Sequence, residues 1–347
     1  MRIPIFQAVA ILAAAAGPVA CGAPMTGSLP ATTMPMIEPR GLSPAAVQIK
    51  LFTMPMQQTD PVDVAVGAKG YLYATQPIGT PASYLWQISE TGYISKVKPS
   101  LGYEAGPGIT GAKGVVYFGK PDTGGWALLA YANGKFDTLG GAHVNAIYYL
   151  KRAKDGSVWF SDPGDYTVGH IANGKASLYP APTKYCSPYG ITIGADQNVW
   201  VTEQCATTTG RIGRITATGS WKEFVLPTKN EEPPSGADSI TAGPDGNLWY
   251  TIGAPRIGRI TTAGKIHEFS LPASDGDGYA IAVGNDKALW YTLQQSLRIG
   301  RMTIKGSASS YKVPSNNSLG LTGICAGSGN TIWFTATTTN QIGRLTY

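Results

Sequence analysis

Short apolar runs separated by turn-forming residues follow one another along this chain. Seven of them share one form, an apolar stretch around a central aromatic followed by a small residue. They are Leu72-Tyr73-Ala74-Thr75, Val116-Tyr117-Phe118-Gly119, Val158-Trp159-Phe160-Ser161, Val199-Trp200-Val201-Thr202, Leu248-Trp249-Tyr250-Thr251, Leu289-Trp290-Tyr291-Thr292 and Ile332-Trp333-Phe334-Thr335. The central aromatics, at 73, 117, 159, 200, 249, 290 and 333, are 44, 42, 41, 49, 41 and 43 residues apart. A period of roughly 40–50 residues containing several short strands is the pattern of a β-propeller, each repeat supplying one blade. The expected fold is all-β, a seven-bladed β-propeller of four-stranded blades.

The clearest repeat shows how a blade is built. Pro244-Asp245-Gly246-Asn247 is a tight turn between two apolar runs, so Ile240–Ala242 and Leu248–Thr251 read as a hairpin, strands a and b. Ile257–Thr261 is strand c, and Ile266–Leu271 alternates as an outer strand d that Pro272 ends. Strand c recurs as Ile212-Gly213-Arg214, Ile257-Gly258-Arg259, Ile299-Gly300-Arg301 and Ile342-Gly343-Arg344, with Val168-Gly169-His170 as a variant. These arginines read as blade packing, the stem covering apolar surface and the glycine admitting a neighbouring aromatic; a ring of cationic ligand contacts is the alternative. The chain stops at Tyr347, after the seventh strand c. The missing outer strand is expected at the other end, where Gln48-Ile49-Lys50-Leu51-Phe52-Thr53-Met54-Pro55 resembles Trp221-Lys222-Glu223-Phe224-Val225-Leu226-Pro227. Such an N-terminal strand would close the ring and remove two sheet edges together.

Composition agrees with this picture. Charged residues make up 14%, while 44 glycines and 25 prolines supply the turns that many short strands need. The net charge of +6 is spread about once per repeat with no Lys/Arg run, so no coherent basic surface for nucleic acid is expected. At the N-terminus Arg2 precedes an apolar stretch, Ile3–Ala16, too short to span a bilayer. Residues 1–21 therefore read as a signal peptide, 22–45 as a flexible Pro/Thr/Ser-rich tether, and 46–347 as the propeller. Val19-Ala20-Cys21-Gly22 resembles a lipoprotein processing site, which would make Cys21 a lipidation site. Pro18 departs from that pattern and leaves ordinary signal-peptide cleavage as the alternative. The protein is expected to be exported, lipid-anchored in the bacterial cell envelope or secreted/periplasmic, and monomeric, with membrane contact only through that lipid.

In an oxidising compartment, Cys186 and Cys205 are expected to form a disulfide. One lies where the chain enters strand a of the fourth blade and the other just past the end of its strand b, on one face of the ring. Cys325 falls inside an inner strand.

Gly-Pro-Asp-Gly-Asn-Leu-Trp-Tyr-Thr, Arg-Ile-Gly-Arg-Ile-Thr-Thr-Ala-Gly and His-Glu-Phe-Ser-Leu-Pro, all between Gly243 and Pro272, are similar to the repeats of the virginiamycin B lyase (streptogramin lyase) family. The resemblance covers roughly residues 46–347 and is strongest from Lys184 on. It implies a seven-bladed propeller that opens a cyclic depsipeptide antibiotic by Mg²⁺-dependent elimination. The family pairs a His just before strand a with a Glu just after strand b, 14 positions later, as base and metal-side acid. Ahead of the strands a here stand Pro107, Asn145, Tyr189, Asp238, Tyr279 and Thr322; after the strands b stand Gln76, Lys120, Asp162, Glu203, Ile252, Leu293 and Ala336. No blade holds the His and the Glu together. His170 and His267 fall on outer strands, which leaves His143 as the one histidine near an inner strand.

Three functions follow. The first is an exported propeller that binds a small polar molecule, glycan or peptide on the central-funnel face through Asn145, Asp162, Tyr189, Glu203, Asp238 and Tyr279. The second is a divergent carbon–oxygen lyase, with His143, Tyr189 and Glu203 as catalytic candidates and Glu203, Asp162 and Asp238 as Mg²⁺ ligands. The third is a structural cell-envelope protein.

Overall fold

The computed structural model describes residues 47–56, 59–76, 84–97, 105–206, 209–227, 237–315 and 318–347. The expected signal peptide, tether and lipidated Cys21 lie outside the described residues. Among the described residues twenty-eight strands form seven four-stranded antiparallel sheets. Blades one to six take their strands in chain order, from Val64–Val66 in blade one to Ala308–Lys312 in blade six. Blade seven comprises Leu321–Ala326, Thr331–Ala336 and Gln341–Thr346, and its outer strand is Gln48–Thr53 from the other end of the chain. Phe52 pairs with Ile342 in that ladder, as the N-terminal match anticipates.

In blades four to seven the repeated tryptophan stacks on an aromatic of the outer strand. The Trp200 ring lies 5.6 Å from Phe224, Trp249 5.3 Å from Phe269, Trp290 5.9 Å from Tyr311 and Trp333 5.8 Å from Phe52. Phe52 thus fills in blade seven the place that a strand-d aromatic fills elsewhere. Above each tryptophan sits the guanidinium of the strand-c arginine: Arg214, Arg259, Arg301 and Arg344, 5.5–5.8 Å from the ring. In blade three His170 takes that place, 4.1 Å from Trp159. The glycine between works as expected. A Cβ on Gly258, Gly300 or Gly343 would lie 2.0 Å from the ring of Tyr250, Tyr291 or Phe334. The arginines and two of the three histidines are therefore packing groups, since His267 lies against Phe269 at 4.4 Å.

The small residue closing each strand b has its own task. In blades four to seven strand a carries a bulge, its register shifting between Pro188/Ile191, Ala237/Ile240, Gly278/Ile281 and Leu321/Ile324. A bulge takes one N–H off the ladder. The Thr hydroxyl opposite accepts it: Gly190 N–H to Thr202 (2.8 Å), Ser239 to Thr251 (3.0 Å), Ala280 to Thr292 (2.9 Å) and Gly323 to Thr335 (2.6 Å). The same hydroxyl donates to a carbonyl of the following blade: Thr202 to Asp238, Thr251 to Tyr279, Thr292 to Thr322, and Thr335 back to Val62 of blade one. One side chain thus holds the bulge and couples neighbouring blades.

Thr251→Val should cost about 2 kcal/mol, since the Ser239 N–H and the Tyr279 carbonyl both lose a buried partner with little change of shape. Chemical denaturation of the variant, with an unchanged m-value, measures it.

Candidate functional site

The first strands of neighbouring blades contact one another around the ring, so the four bulges lie at its centre. Each is at the N-terminal end of its strand, the mouth of the ring, where one pair of residues leaves the ladder and we take the first of each pair. These residues are Tyr189, Asp238, Tyr279 and Thr322. Blade three contributes Tyr148, whose ring lies 6.0 Å from that of Tyr189 and 4.7 Å from that of Tyr149. Four consecutive blades therefore present Tyr148, Tyr189, Asp238 and Tyr279 around one arc of the mouth. Tyr148 stands 14 residues before Asp162, the spacing that separates Tyr189 from Glu203. Asn145, expected in that role, sits three residues earlier in an exposed loop, where its side-chain amide donates to Asp165. The 14-residue spacing was the signal that would have found Tyr148.

Burial and neighbours set the charge state of this arc. The Asp238 carboxyl is pushed up to about 7, first by burial and then by the nearby Asp277, against a stabilising hydrogen bond of 2.6 Å from the Gln204 amide. Tyr189 and Tyr279 are raised by burial and then by the Asp238 charge. At neutral pH the tyrosines are neutral hydroxyls, donors and acceptors rather than bases, and Asp238 is the one arc residue that changes charge near there. Asp63 of blade one is 1% exposed and accepts the Ile109 N–H at 3.1 Å, which ties blade one to blade two. Burial holds it well above the ordinary carboxylate range.

The remaining candidates are not at the mouth. Asp162 is fully buried; its carboxylate accepts backbone N–H groups of Asn145 (2.9 Å), Gly164 (3.1 Å) and Asp165 (3.3 Å), and so shapes the loops of blade three. Burial and then Asp165 raise its pKa. His143 is exposed and bonds the Gly124 carbonyl in a turn of blade two. Glu203 is turned into the body of blade four. Val201 there replaces the aromatic of other blades, and a Cβ on Gly213 would lie 2.8 Å from Glu203 Oε1. Catalytic candidates His143, Tyr189 and Glu203 thus have separate surroundings and form no constellation. Among the described residues no three His, Cys, Asp or Glu side chains come together to hold a metal, so Glu203, Asp162 and Asp238 form no joint cation cage.

Glu203 has a structural consequence instead. Its surroundings are Glu223, Arg211 and the Cys186–Cys205 disulfide, whose sulfurs lie 3.6 and 3.5 Å from Arg211 Nη1. Glu223 is held by Arg211 (3.6 Å) and by the Thr183 hydroxyl (2.7 Å). Among the described residues no group donates a hydrogen bond to the Glu203 carboxylate, and Glu223 lies close enough to repel its charge. Its pKa is raised to about 8, by burial first and by Glu223 second. The folded chain then keeps a proton that the unfolded chain releases above about pH 4.5, so stability falls as pH rises through that window to about 8. Glu203→Gln should remove this slope, leaving stability near wild type at pH 5 and raising it by roughly 3 kcal/mol at pH 8. Parallel denaturation curves at the two pH values decide it, and an unchanged slope would contradict the assignment.

The sequence matches the virginiamycin B lyase family over residues 103–251 and 205–347. Among solved structures, the selenomethionine-substituted virginiamycin B lyase from Staphylococcus aureus is 30% identical, with a TM-score of 0.72 over 87% of this chain and 99% of that one. A catalytically inactive histidine-to-alanine variant of the same enzyme, with quinupristin, is 31% identical at a TM-score of 0.73 over 87% of this chain and 99% of that one. A streptogramin B lyase is 25% identical at a TM-score of 0.73, over 86% and 97%. No curated protein sequence matches the chain. The ring of seven blades, the repeat that builds it and these matches lead to one conclusion: the chain belongs to the virginiamycin B lyase family.

Proposed function

We propose that this chain is an exported propeller that binds a small polar ligand or short peptide at the channel mouth and does not carry out the elimination of its relatives. The observation that carries this reading is the arc of Tyr148, Tyr189, Asp238 and Tyr279 on four adjacent blades. Phenol rings offer apolar faces with a polar edge, and Asp238 with Gln204 offers a directional acceptor and donor, a mixture suited to such ligands. Against elimination stands the base. The relative studied with quinupristin is inactive as a histidine-to-alanine variant. Here His170 and His267 pack on aromatics and His143 is tied to a loop carbonyl. The buried Cys186–Cys205 bond supports export, because disulfides persist outside the reducing cytosol. No helix among the described residues is long and apolar enough to cross a membrane. Residues 1–21 are the proposed export signal, with Cys21 the proposed lipid attachment point.

Calorimetric titration of quinupristin into wild type, Tyr279→Ala and Asp238→Asn tests the reading. Wild-type binding that weakens about tenfold or more in both variants is expected. Equal affinity in all three would place the ligand elsewhere.

A further inference from the structure

Two tyrosines beside the mouth hold a backbone conformation that is unfavourable for their residue type. Tyr166 ends the b–c loop of blade three, and Tyr185 immediately precedes Cys186 of blade four. Both have left-handed backbone, φ +53° and +62°. That conformation is unfavourable for a bulky side chain and is ordinarily left to Gly, Asn or Asp. The b–c loops of blades six and seven end with the same positive φ at Leu297 and Asn340, yet each has a local reason. Leu297 packs on the core between blades six and seven, and Asn340 is a residue type that tolerates the conformation and donates to the Met56 carbonyl. Tyr166 and Tyr185 have neither compensation. They are 39% and 57% exposed.

Their rings meet at 82° with centroids 6.2 Å apart, so together they make a corner open to solvent. The corner is held from below. The Tyr166 carbonyl accepts the Ala181 N–H at 2.8 Å, the Tyr185 carbonyl accepts the Ala206 N–H at 3.0 Å, and the disulfide fixes the adjacent residue. Tyr166 lies within electrostatic reach of the Tyr189 hydroxyl, which makes the corner continuous with the arc. Backbone strain fixed by its surroundings at a ligand-facing surface is the usual setting of a pre-organised contact.

We propose that Tyr166 and Tyr185 form an outer stacking subsite of the mouth, which takes a ring-bearing side chain of a peptide ligand whose polar part is held by Asp238, Gln204 and Tyr279. This rests on the mouth-binding reading above. A cyclic peptide suits the arrangement, because a constrained backbone can present a ring to the corner and amides to the arc at once with little entropy left to lose. Two perpendicular phenols give a face and an edge to one ring, the geometry aromatic groups prefer.

The full chain, titrated with quinupristin, tests the subsite through Tyr166→Asn, Tyr185→Asn, Tyr185→Phe and Tyr279→Ala. Asn keeps a residue that tolerates the left-handed backbone, so each Asn variant should melt at or above the wild-type temperature while binding about tenfold more weakly. Tyr185→Phe, which retains the ring, should bind like wild type. Wild-type affinity in both Asn variants, with Tyr279→Ala still impaired, would overturn the outer subsite and leave the mouth reading standing. Absence of binding by the wild type would remove the mouth reading for this ligand and the subsite with it.

Discussion

Removing residues 46–55 is expected to leave a chain that shows no cooperative unfolding transition, while a truncation ending at residue 44 melts like the full protein. The strand lost, Gln48–Thr53, makes the whole outer edge of blade seven. Without it the ladder groups of Gln341–Thr346 become an open edge, and Trp333 loses Phe52, its stacking partner at 5.8 Å. Met54, 3% exposed, leaves the core with them. The seam carries more than the ladder. Met54 N–H donates to the Asn340 carbonyl at 2.9 Å, and the Asn340 amide donates to the Met56 carbonyl at 2.6 Å. A closed ring distributes its stability over every blade junction, so opening one junction exposes two unpaired faces and invites edge-to-edge association. A synthetic peptide of residues 46–56 should restore part of the transition when added in trans. If the 46–55 deletion melts like the wild type, ring closure by this strand is wrong.

The second large effect is expected from Cys186 and Cys205. They lie directly opposite each other in blade four, Cα atoms 4.0 Å apart, and close a loop with a sequence separation of 19. A cross-link of that span is worth about 3 kcal/mol, through the freedom it denies the unfolded chain. Replacing both residues by Ser should lower stability by about that amount and weaken ligand binding as well, because Tyr185 and Tyr189 flank the bridge on the same strand segment. Peptide mass mapping without reductant should give the linked 186–205 fragment, with Cys325, buried in the inner strand of blade seven, alkylated only after unfolding. Free alkylation of Cys186 and Cys205 in unreduced protein would contradict the bridge.

Much of this architecture is legible in the chain because the repeat carries it. A tryptophan every 41–49 residues from 159 on, with a Gly-Arg on strand c and a terminal Thr on strand b in the last four repeats, fixes the blade count and the strand order before any coordinate is known. Even the closure by Phe52 can be read, since Gln48–Pro55 copies a strand d. The site is less legible, for reasons that are physical. Bulges aim Tyr189, Asp238 and Tyr279, and a bulge is a two-against-one register that leaves no mark in a period-two pattern. Blade three puts Tyr148 at the mouth three positions after the expected Asn145, since its d–a loop folds around Asp162 and Asp165. Glu203 follows the strand-b motif just as a catalytic acid would, yet the small Val201 beside it leaves room next to Gly213 that its carboxyl fills. What a residue faces there depends on its neighbour's volume, not on its own position in the repeat.

The claim that the mouth binds without opening its ligand can be put to one direct measurement. Stoichiometric protein and quinupristin are incubated with Mg²⁺, the protein fraction is separated by ultrafiltration, and the retained ligand is released and chromatographed. Chromatography is needed because elimination removes the Cα proton and breaks the ester Cβ–O bond, forming a Cα=Cβ double bond and a carboxylic acid within one molecule, which leaves the mass unchanged. The account predicts ligand retained with the protein and recovered with its ring closed. Recovery of the ring-opened isomer, formed by wild type and not by Asp238→Asn, would show an elimination at the mouth and contradict it.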